Sequence, residues 1–431
     1  MDKVPFQQTA GDLAFDEIIL QQGELISDRL NILRQEQYPP DAQKGLRQFS
    51  LAEVAYFLGV TQSTIKKLHL EGKGPAPETS ASGRRSYSAA QMLELRAYLD
   101  AHGRPGKRRY LPHRTEGEEL HVISVVNFKG GSGKTTTAAH LAQHLALKGH
   151  RVLAIDLDPQ ASLTALHGIQ PELDSVSSLY ETLRYDAERQ PISAVIRPTN
   201  FPNLDIVPAS LDLQEYEYDT PVALTSRDPS EGRAFFTRIS TALAEVEEQY
   251  DVVVIDCPPQ LGYLTLTALT ASSSVLITVH PQMLDVMSMS QFLLMLGGIL
   301  RTIREAGAEM RLKWFRYLVT RFEPTDGPQK QMVGFLQAMF PNQMLEAQMV
   351  KSTAISDAGI TKQTLYEVER AQFVADPFKL GVDFICGDDM AIGQIAEVEL
   401  DAPLPAPFER DLVDRHRRPF AAGQFATVGF V

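Results

Sequence analysis

The residues with the clearest chemistry lie together in Phe128-Lys-Gly-Gly-Ser-Gly-Lys-Thr-Thr, which ends at Thr136. Gly130, Gly131 and Gly133 allow a tight backbone turn that aims N–H groups at phosphate oxygens. Lys134 has the charge and reach for β- and γ-phosphates. The Thr135 hydroxyl suits Mg²⁺, and Ser132 and Thr136 complete the cradle. The strict G-x-x-x-x-G-K-[ST] pattern fails at its first position, where Phe128 stands. Two further segments place acidic groups at strand ends. Val-Leu-Ala-Ile-Asp-Leu-Asp-Pro-Gln (152–160) carries Asp156 and Asp158, and Asp-Val-Val-Val-Ile-Asp-Cys-Pro-Pro (251–259) carries Asp256. Each of these alone suits a helix cap as well as a metal or water site.

A phosphate loop needs a strand before it and a helix after it, and both are legible. His121–Asn127 is a β-branched strand. Thr135–Lys148 is a helix with Ala138, Leu141, Ala142 and Leu145 inward, ended by Gly149. Apolar strands follow at Arg151–Asp156, Leu204–Val207, Asp251–Asp256, Ser274–Val279 and Phe315–Thr320. Uninterrupted apolar strands alternating with helices predict an α/β P-loop NTPase fold, its mostly parallel sheet flanked by helices.

The loop reads K-G-G-x-G-K-T, headed by Lys129. It resembles the deviant Walker A motif of the ParA/MinD family, whose extra signature lysine reaches across a nucleotide sandwich dimer to the partner's phosphates. The resemblance gives Lys129 that role and makes Lys129, Lys134 and Asp158 the catalytic set. Asp158, the aspartate before Pro-Gln, orients the attacking water. Asp256 supports Mg²⁺ through water beside Thr135. His280–Leu293, Lys351–Gly359 and Thr364–Glu367 also resemble the larger partition ATPases, which carry an N-terminal DNA-binding region, as do the RepA proteins of repABC plasmids. The implied ligands are ATP or ADP with Mg²⁺, and Arg321 and Phe322 are candidates for the adenine. The implied partners are a second copy of the chain, a centromere-binding protein and DNA, both a specific operator and the nonspecific nucleoid. The implied location is the cytoplasm, on the nucleoid.

The N-terminal third fits that picture. Ser50 with Glu53 has the capping-box pattern, Leu51, Val54, Ala55 and Leu58 make a buried face, and Gly59 breaks the helix. Thr61 caps a second helix, Gln62 to Leu70, and a third runs from Ser88 to Leu99. The result is a small all-α helix-turn-helix domain. Gln62, Ser63, Thr64, Lys66 and Lys67 would enter a major groove. Arg84, Arg85 and the basic run 104–114 would hold flanking phosphates, and Lys351 would serve nonspecific DNA. From Gln62 to Thr115 the net charge is +7, against −13 for the whole chain. That asymmetry suits a DNA-facing module on an acidic body, and equally a solvated basic linker. The expected divisions are a helical segment (1–45) that pairs with a second copy or packs on its neighbour, a DNA-binding domain (46–112), an ATPase domain (119–400) and a tail (401–431). Residues 102–118 read as an exposed linker.

Other classes fit less well. Two cysteines, Cys257 and Cys386, exclude a disulfide framework and point to a reducing compartment. Their positions do not match an electron-transfer ATPase that bridges a cluster between subunits. No run approaches 18 uncharged apolar residues, and the N-terminus lacks a signal-like apolar region. A membrane-positioning ATPase of the MinD kind needs an amphipathic C-terminal helix, which Pro419 and Gly423 interrupt. A transcriptional regulator using ATP only as a switch is the other alternative. The complete set Lys134, Thr135, Asp158 and Asp256 speaks against a regulator that has lost hydrolysis.

Overall fold

Strands β-branched on both faces must be covered on both faces, and the central sheet is built this way. The computed structural model describes residues 14–37, 44–80, 83–103, 110–171, 176–225, 234–305, 312–351 and 362–368. The tail, Cys386 and residues 352–359 of the Lys351–Gly359 segment lie outside the described residues. The strands are β1 (Phe49–Ser50), β2 (Glu78–Thr79), β3 (Arg85–Tyr87), β4 (His121–Val126), β5 (Val152–Asp156), β6 (Arg197–Pro198), β7 (Leu204–Val207), β8 (Val252–Asp256), β9 (Ser274–Val279), β10 (Trp314–Phe322) and β11 (Met344–Val350). Eight of them form one sheet in the order β11-β10-β9-β4-β8-β5-β7-β6. All its pairings are parallel except the edge pair of β6 and β7. Every residue of β4, β5, β8 and β9 is buried. The register sets Asp156 opposite Asp256 and Val125 opposite Asp256. The loop after β4, Asp158 beyond β5 and the last residue of β8 therefore meet at the C-terminal ends of three adjacent central strands. Strand β11 has no counterpart in the sequence reading, because Glu346 and Gln348 interrupt its apolar pattern.

The apolar-run criterion missed one element. Helix Met283–Glu305 is long and apolar enough to cross a membrane by length and composition. In this fold Met289, Phe292 and Leu296 sit in the core beside the sheet. Met283, Leu284, Met287 and Leu294 are exposed.

In the N-terminal region α2 (Leu51–Leu58) starts at the expected capping box. The Ser50 N–H donates to Glu53 Oε2 at 2.8 Å, and the Glu53 N–H donates to Ser50 Oγ at 3.4 Å. Helix α3 (Gln62–Leu70) begins at Thr61, whose hydroxyl accepts from the Thr64 N–H at 3.3 Å. Helix α4 (Ala89–Ala101) opens with a second capping box, Ser88 and Gln91. Phe49, Val54, Leu58, Ile65, Tyr87 and Leu95 fill the space between these elements. The domain is not all-α. Strands β1, β3 and β2 form a three-stranded antiparallel sheet, with β2 and β3 making a hairpin after α3. Strands of two or three residues are too short to show a period in sequence.

The expected exposed linker is exposed at 102–103 and 115–118 but is corrected at 110–114, which are half-buried. Tyr110 and Leu111 donate their N–H groups to Asp100 Oδ1 at 2.6 and 3.0 Å. The Arg114 N–H donates to Asp251 Oδ1 at 2.9 Å, and its guanidinium donates to the carbonyls of Tyr250, Glu118 and Glu247. Arg114 thus fastens a strap to the base of β8 and is not a phosphate ligand. Arg96, 5% exposed, donates to Phe57 O (2.6 Å), Tyr110 O (2.7 Å) and Leu147 O (3.2 Å). It joins the end of α2 to the end of α5 (Lys134–Lys148). From Leu46 onward the described chain is one compact unit. Among its described residues the preceding unit holds a single helix, α1 (Phe15–Gln37), on which Phe15, Ile19, Leu25 and Ile26 are exposed.

Candidate nucleotide site

Between β4 and α5 the chain makes the turn its glycines permit. Gly131 and Gly133 have φ of +75° and +83°, a region that a side chain strains. Neighbouring strands hold the loop. Asn127 Oδ1 accepts from the Lys129 N–H at 2.9 Å, while Asn127 Nδ2 donates to Thr278 O at 2.6 Å. The Thr320 hydroxyl donates to Ser132 O at 2.7 Å, and the Thr278 hydroxyl donates to Ser132 Oγ at 3.1 Å. Arg321 Nη1 donates to Gly131 O at 2.9 Å. These supports were missed in sequence. Their signal is a threonine near the C-terminal end of two apolar strands, β9 and β10.

Over the loop lies a cleft of about 540 Å³. Its walls include Gly130 to Thr136, Asp158, Gln160, Ser162, Pro259, Thr320, Arg321 and Lys351. Lys134 is 7% exposed and its ammonium donates to Lys129 O at 3.2 Å. Burial lowers its pKa, while Asp256 and Asp158 pull it back up.

The three carboxylates differ in what they already hold. Asp156 is spent on structure. Its Oδ2 accepts from Thr164 N (2.8 Å) and Oγ1 (2.7 Å), and its Oδ1 accepts from Asp158 N (3.2 Å). Burial pushes its pKa up to about 7. Asp158 lines the cleft, with one oxygen accepting from Gln160 N at 3.0 Å. Asp256 is fully buried, and neither of its oxygens has a hydrogen-bond partner among the described residues. Burial first, then the charge of Asp156, push its pKa well above the carboxylate range, against the pull of Thr135 and Lys134. A buried carboxylate without partners is costly. A divalent cation beside Thr135 would remove that cost, so the residues fit Mg²⁺.

One expected nucleotide contact is placed elsewhere, and Lys129, expected at a second copy's phosphates, stands outside the wall of its own chain's cleft. Phe322 packs into the core and takes no part in the cleft wall, while Arg321 does. Lys129 forms an ion pair with Asp285 instead of lining the cleft. Asp285 in turn faces His280 Nδ1 at 2.9 Å.

The candidate DNA residues divide similarly. Gln62, Ser63, Lys66 and Lys67 are exposed on the first turns of α3. The Ser63 and Thr64 hydroxyls face the Thr61 cap at 2.7 and 3.0 Å, and Thr64 is half-buried. Arg84 and Arg85 stand on the hairpin of β2 and β3, Arg84 exposed. Lys351 sits at the mouth of the nucleotide cleft, paired with Glu323 at 2.8 Å. Of the basic run, residues 104–109 lie outside the described residues.

Comparison with known proteins agrees with this geometry. Residues 120–306 match the family described as AAA domain. The chain is 68% identical over 374 residues to the "Putative replication protein A" of Sinorhizobium fredii (strain NBRC 101917 / NGR234), covering 87% of this chain and 92% of that one. It is 34% identical over 236 residues to the chromosome partitioning protein ParA of Myxococcus xanthus (strain DK1622), covering 55% of this chain and 77% of that one. A solved structure described as a partition protein superposes with a TM-score of 0.56 at 21% identity, covering 83% of this chain and 99% of that one, and shares the fold.

Proposed function

Because this chain belongs to the ParA family of partition ATPases, we propose that it segregates a low-copy replicon by cycling between nucleotide states on DNA. Its ligands are ATP and ADP with Mg²⁺. One observation carries the reading. Lys134, Thr135 and Asp158 line one cleft, with the buried Asp256 against Lys134 and Thr135, in the same compact unit as the helix-turn-helix.

The roles in this reading join the geometry of the cleft to the family resemblance. The glycine loop and the N-terminus of α5 cradle the phosphates, and Lys134 neutralises their charge. Mg²⁺, held by Thr135 and through water by Asp256, would supply charge neutralisation across the phosphate oxygens. Asp158 orients the attacking water from the cleft wall. Lys129 engages the phosphates of a second copy. Intrinsic hydrolysis is slow until a centromere-binding protein completes the charge clamp. The ATP-bound homodimer coats nucleoid DNA without sequence preference, with Lys351 a candidate contact. The ADP form represses its own operon through Gln62, Ser63, Lys66 and Lys67, flanked by Arg84 and Arg85. In this reading residues 46–112 bind DNA, 119–400 form the ATPase and 1–45 assist pairing. It places the protein in the cytoplasm on the nucleoid.

The test is the ATPase rate of the full chain, alone, with DNA, and with DNA plus the candidate centromere-binding protein. Stimulation that requires the partner supports the reading. A rate indifferent to both additions removes it.

A further inference from the structure

The helix that follows β8 starts without a cap of its own. Helix Tyr263–Ala271 has Gly262 at its N-cap, with no side chain to accept from the first N–H groups. The acceptor comes from 46 and 47 positions upstream. The Tyr263 N–H donates to Glu217 Oε2 at 2.9 Å, and the Leu264 N–H donates to Glu217 Oε1 at 3.0 Å. A carboxylate at this end also meets the positive pole of the helix. Gly262 is required by the approach. Apart from its chain neighbours, the nearest atoms that a Cβ on Gly262 would meet all belong to Glu217, and it would collide with Oε1.

Between β8 and this helix runs the segment 257–262, which serves the cleft. Asp256 stands before it and Pro259 lines the cleft. Its near end is pinned by the Cys257 N–H, which donates to Val125 O at 3.2 Å. Its far end is pinned by Thr265 Oγ1, which donates to Gln260 O at 2.6 Å, and by Glu217. The helix that carries Glu217, Leu213–Thr225, is tied in turn to the loop that carries Asp158. Just before that helix the Ala209 N–H donates to Thr164 Oγ1 at 2.9 Å, and Thr164 Oγ1 donates to Asp156 Oδ2 at 2.7 Å. Leu213 and Tyr216 are fully buried and seat the helix. One helix thus braces the segments after β5 and after β8.

We infer that Glu217 is a positioning residue for hydrolysis, holding the segment after β8 in register with the Asp158 loop through helix Leu213–Thr225. The inference rests on the reading of Asp158 as the group that orients the water and of Asp256 as the group that supports the metal. These two carboxylates serve one phosphate, so their segments must keep a fixed separation. A misplacement of about 1 Å at such a site costs up to about a hundredfold in rate. The glycine loop, Lys134 and Thr135 lie outside the brace, so turnover should fall while nucleotide affinity stays. A serine at position 262 could cap the helix locally, since the backbone there is extended as serine caps are. It would not tie the helix to Leu213–Thr225, and that difference separates positioning from stability.

The experiment uses the full chain with nonspecific DNA and saturating ATP. It compares kcat, equilibrium binding of a fluorescent nonhydrolysable ATP analogue, and melting temperature. The variants are Glu217→Gln, Glu217→Ala, Glu217→Ala with Gly262→Ser, and Asp158→Ala. Glu217→Ala should lower kcat about tenfold or more at unchanged analogue affinity. Glu217→Gln keeps one acceptor and the shape of the side chain, and should fall between it and wild type. Adding Gly262→Ser should restore the melting temperature and leave kcat low. Recovery of kcat together with the melting temperature overturns the brace, making Glu217 a cap only. Loss of analogue binding in Glu217→Gln also overturns it, because the carboxylate would then support the whole site. Where serine fails to restore the melting temperature, Glu217→Gln decides, by a lowered kcat at normal affinity or by a normal kcat. Normal turnover in Asp158→Ala removes the parent reading and the brace with it. An inactive Asp158→Ala beside normal turnover in both single Glu217 variants removes the brace alone.

Discussion

The nucleotide cleft and the helix-turn-helix unit are built on opposite terms. At the cleft floor Asp256 is buried with neither oxygen hydrogen-bonded, and the buried Lys134 ammonium donates to one carbonyl, an arrangement costly until an ion or phosphate arrives. In the helix-turn-helix unit the polar termini are satisfied internally. Ser50 with Glu53, Thr61 with Thr64 and Ser88 with Gln91 cap their helices, and Arg47 pairs with Glu53 at 2.7 Å. Its outward residues, Gln62, Lys66 and Lys67, are exposed and spend nothing. One region stores unsatisfied charge for a ligand, whereas the other is a finished scaffold presenting replaceable side chains. Substitutions in the first should abolish a function, and those on the second should grade one.

The largest effect is expected at Lys134. Lys134→Ala removes the principal cation facing the phosphates, and turnover should fall by about a thousandfold or more. The variant should still fold, because removing a buried ammonium relieves a desolvation cost. Wild-type turnover would show that the cleft is not the phosphate site. Asp158→Ala should come next. With the loop, Lys134 and Thr135 intact, ATP binding should persist while hydrolysis falls about a hundredfold or more. Rapid-quench turnover beside equilibrium binding checks this. Loss of binding instead would make Asp158 a structural group like Asp156.

On the scaffold the effect should be smaller and divisible. Replacing Gln62, Lys66 and Lys67 together by Ala should weaken operator binding about a hundredfold, since giving up one hydrogen bond to a base or phosphate costs about 1–3 kcal/mol at most. ATPase activity and melting temperature should stay near wild type, because none of the three is buried. Mobility shifts with operator and scrambled duplexes at two salt concentrations would separate base reading from phosphate binding. An equal loss on both duplexes would make α3 a phosphate-binding helix only.

The same contrast explains what the sequence disclosed. The loop from Lys129 to Thr136 was readable because phosphate chemistry dictates residue type at each position, and the strand and helix around it follow from apolar periodicity. Helix starts at Ser50, Thr61 and Ser88 were readable because a cap is a local bond between residues three apart. Asp285 was hidden because it meets Lys129 across 156 positions, and nothing local marks the pairing. Thr278 and Thr320 were hidden as ordinary polar interruptions of apolar strands. Arg96 and Arg114 looked like members of a basic DNA-facing stretch, yet both turn inward to carbonyls, which charge counting cannot see. Phe322 adjoins Arg321 in the chain, but Arg321 has φ +53° at a register irregularity of β10, and Phe322 packs into the core.

The smallest predicted effect lies at the seam between the two regions. His144 is fully buried on α5, its ring near Tyr56 and Phe57 of α2, and its Nδ1 lies 2.9 Å from the Tyr366 hydroxyl. Burial, helped by the positive charges of Lys148 and His150, pushes its pKa down to about 3. The unfolded chain takes up a proton near pH 6.5 while the folded chain refuses it. Stability from this group is therefore complete above about pH 6.5 and is lost as the pH falls toward 3. Between pH 7 and pH 5 the loss is about 2 kcal/mol, a drop of a few degrees in melting temperature. Asp156 and Asp256, whose pKa values are raised, act in the opposite direction over the same range, so the wild-type curve alone is not diagnostic. His144→Gln removes only the histidine contribution. Its melting temperature should start lower at pH 7, and its stability should fall by about 2 kcal/mol less on acidification to pH 5, measured by calorimetry on both proteins. Parallel curves would mean that this seam already opens before global unfolding, and that α2 and α5 do not melt as one unit.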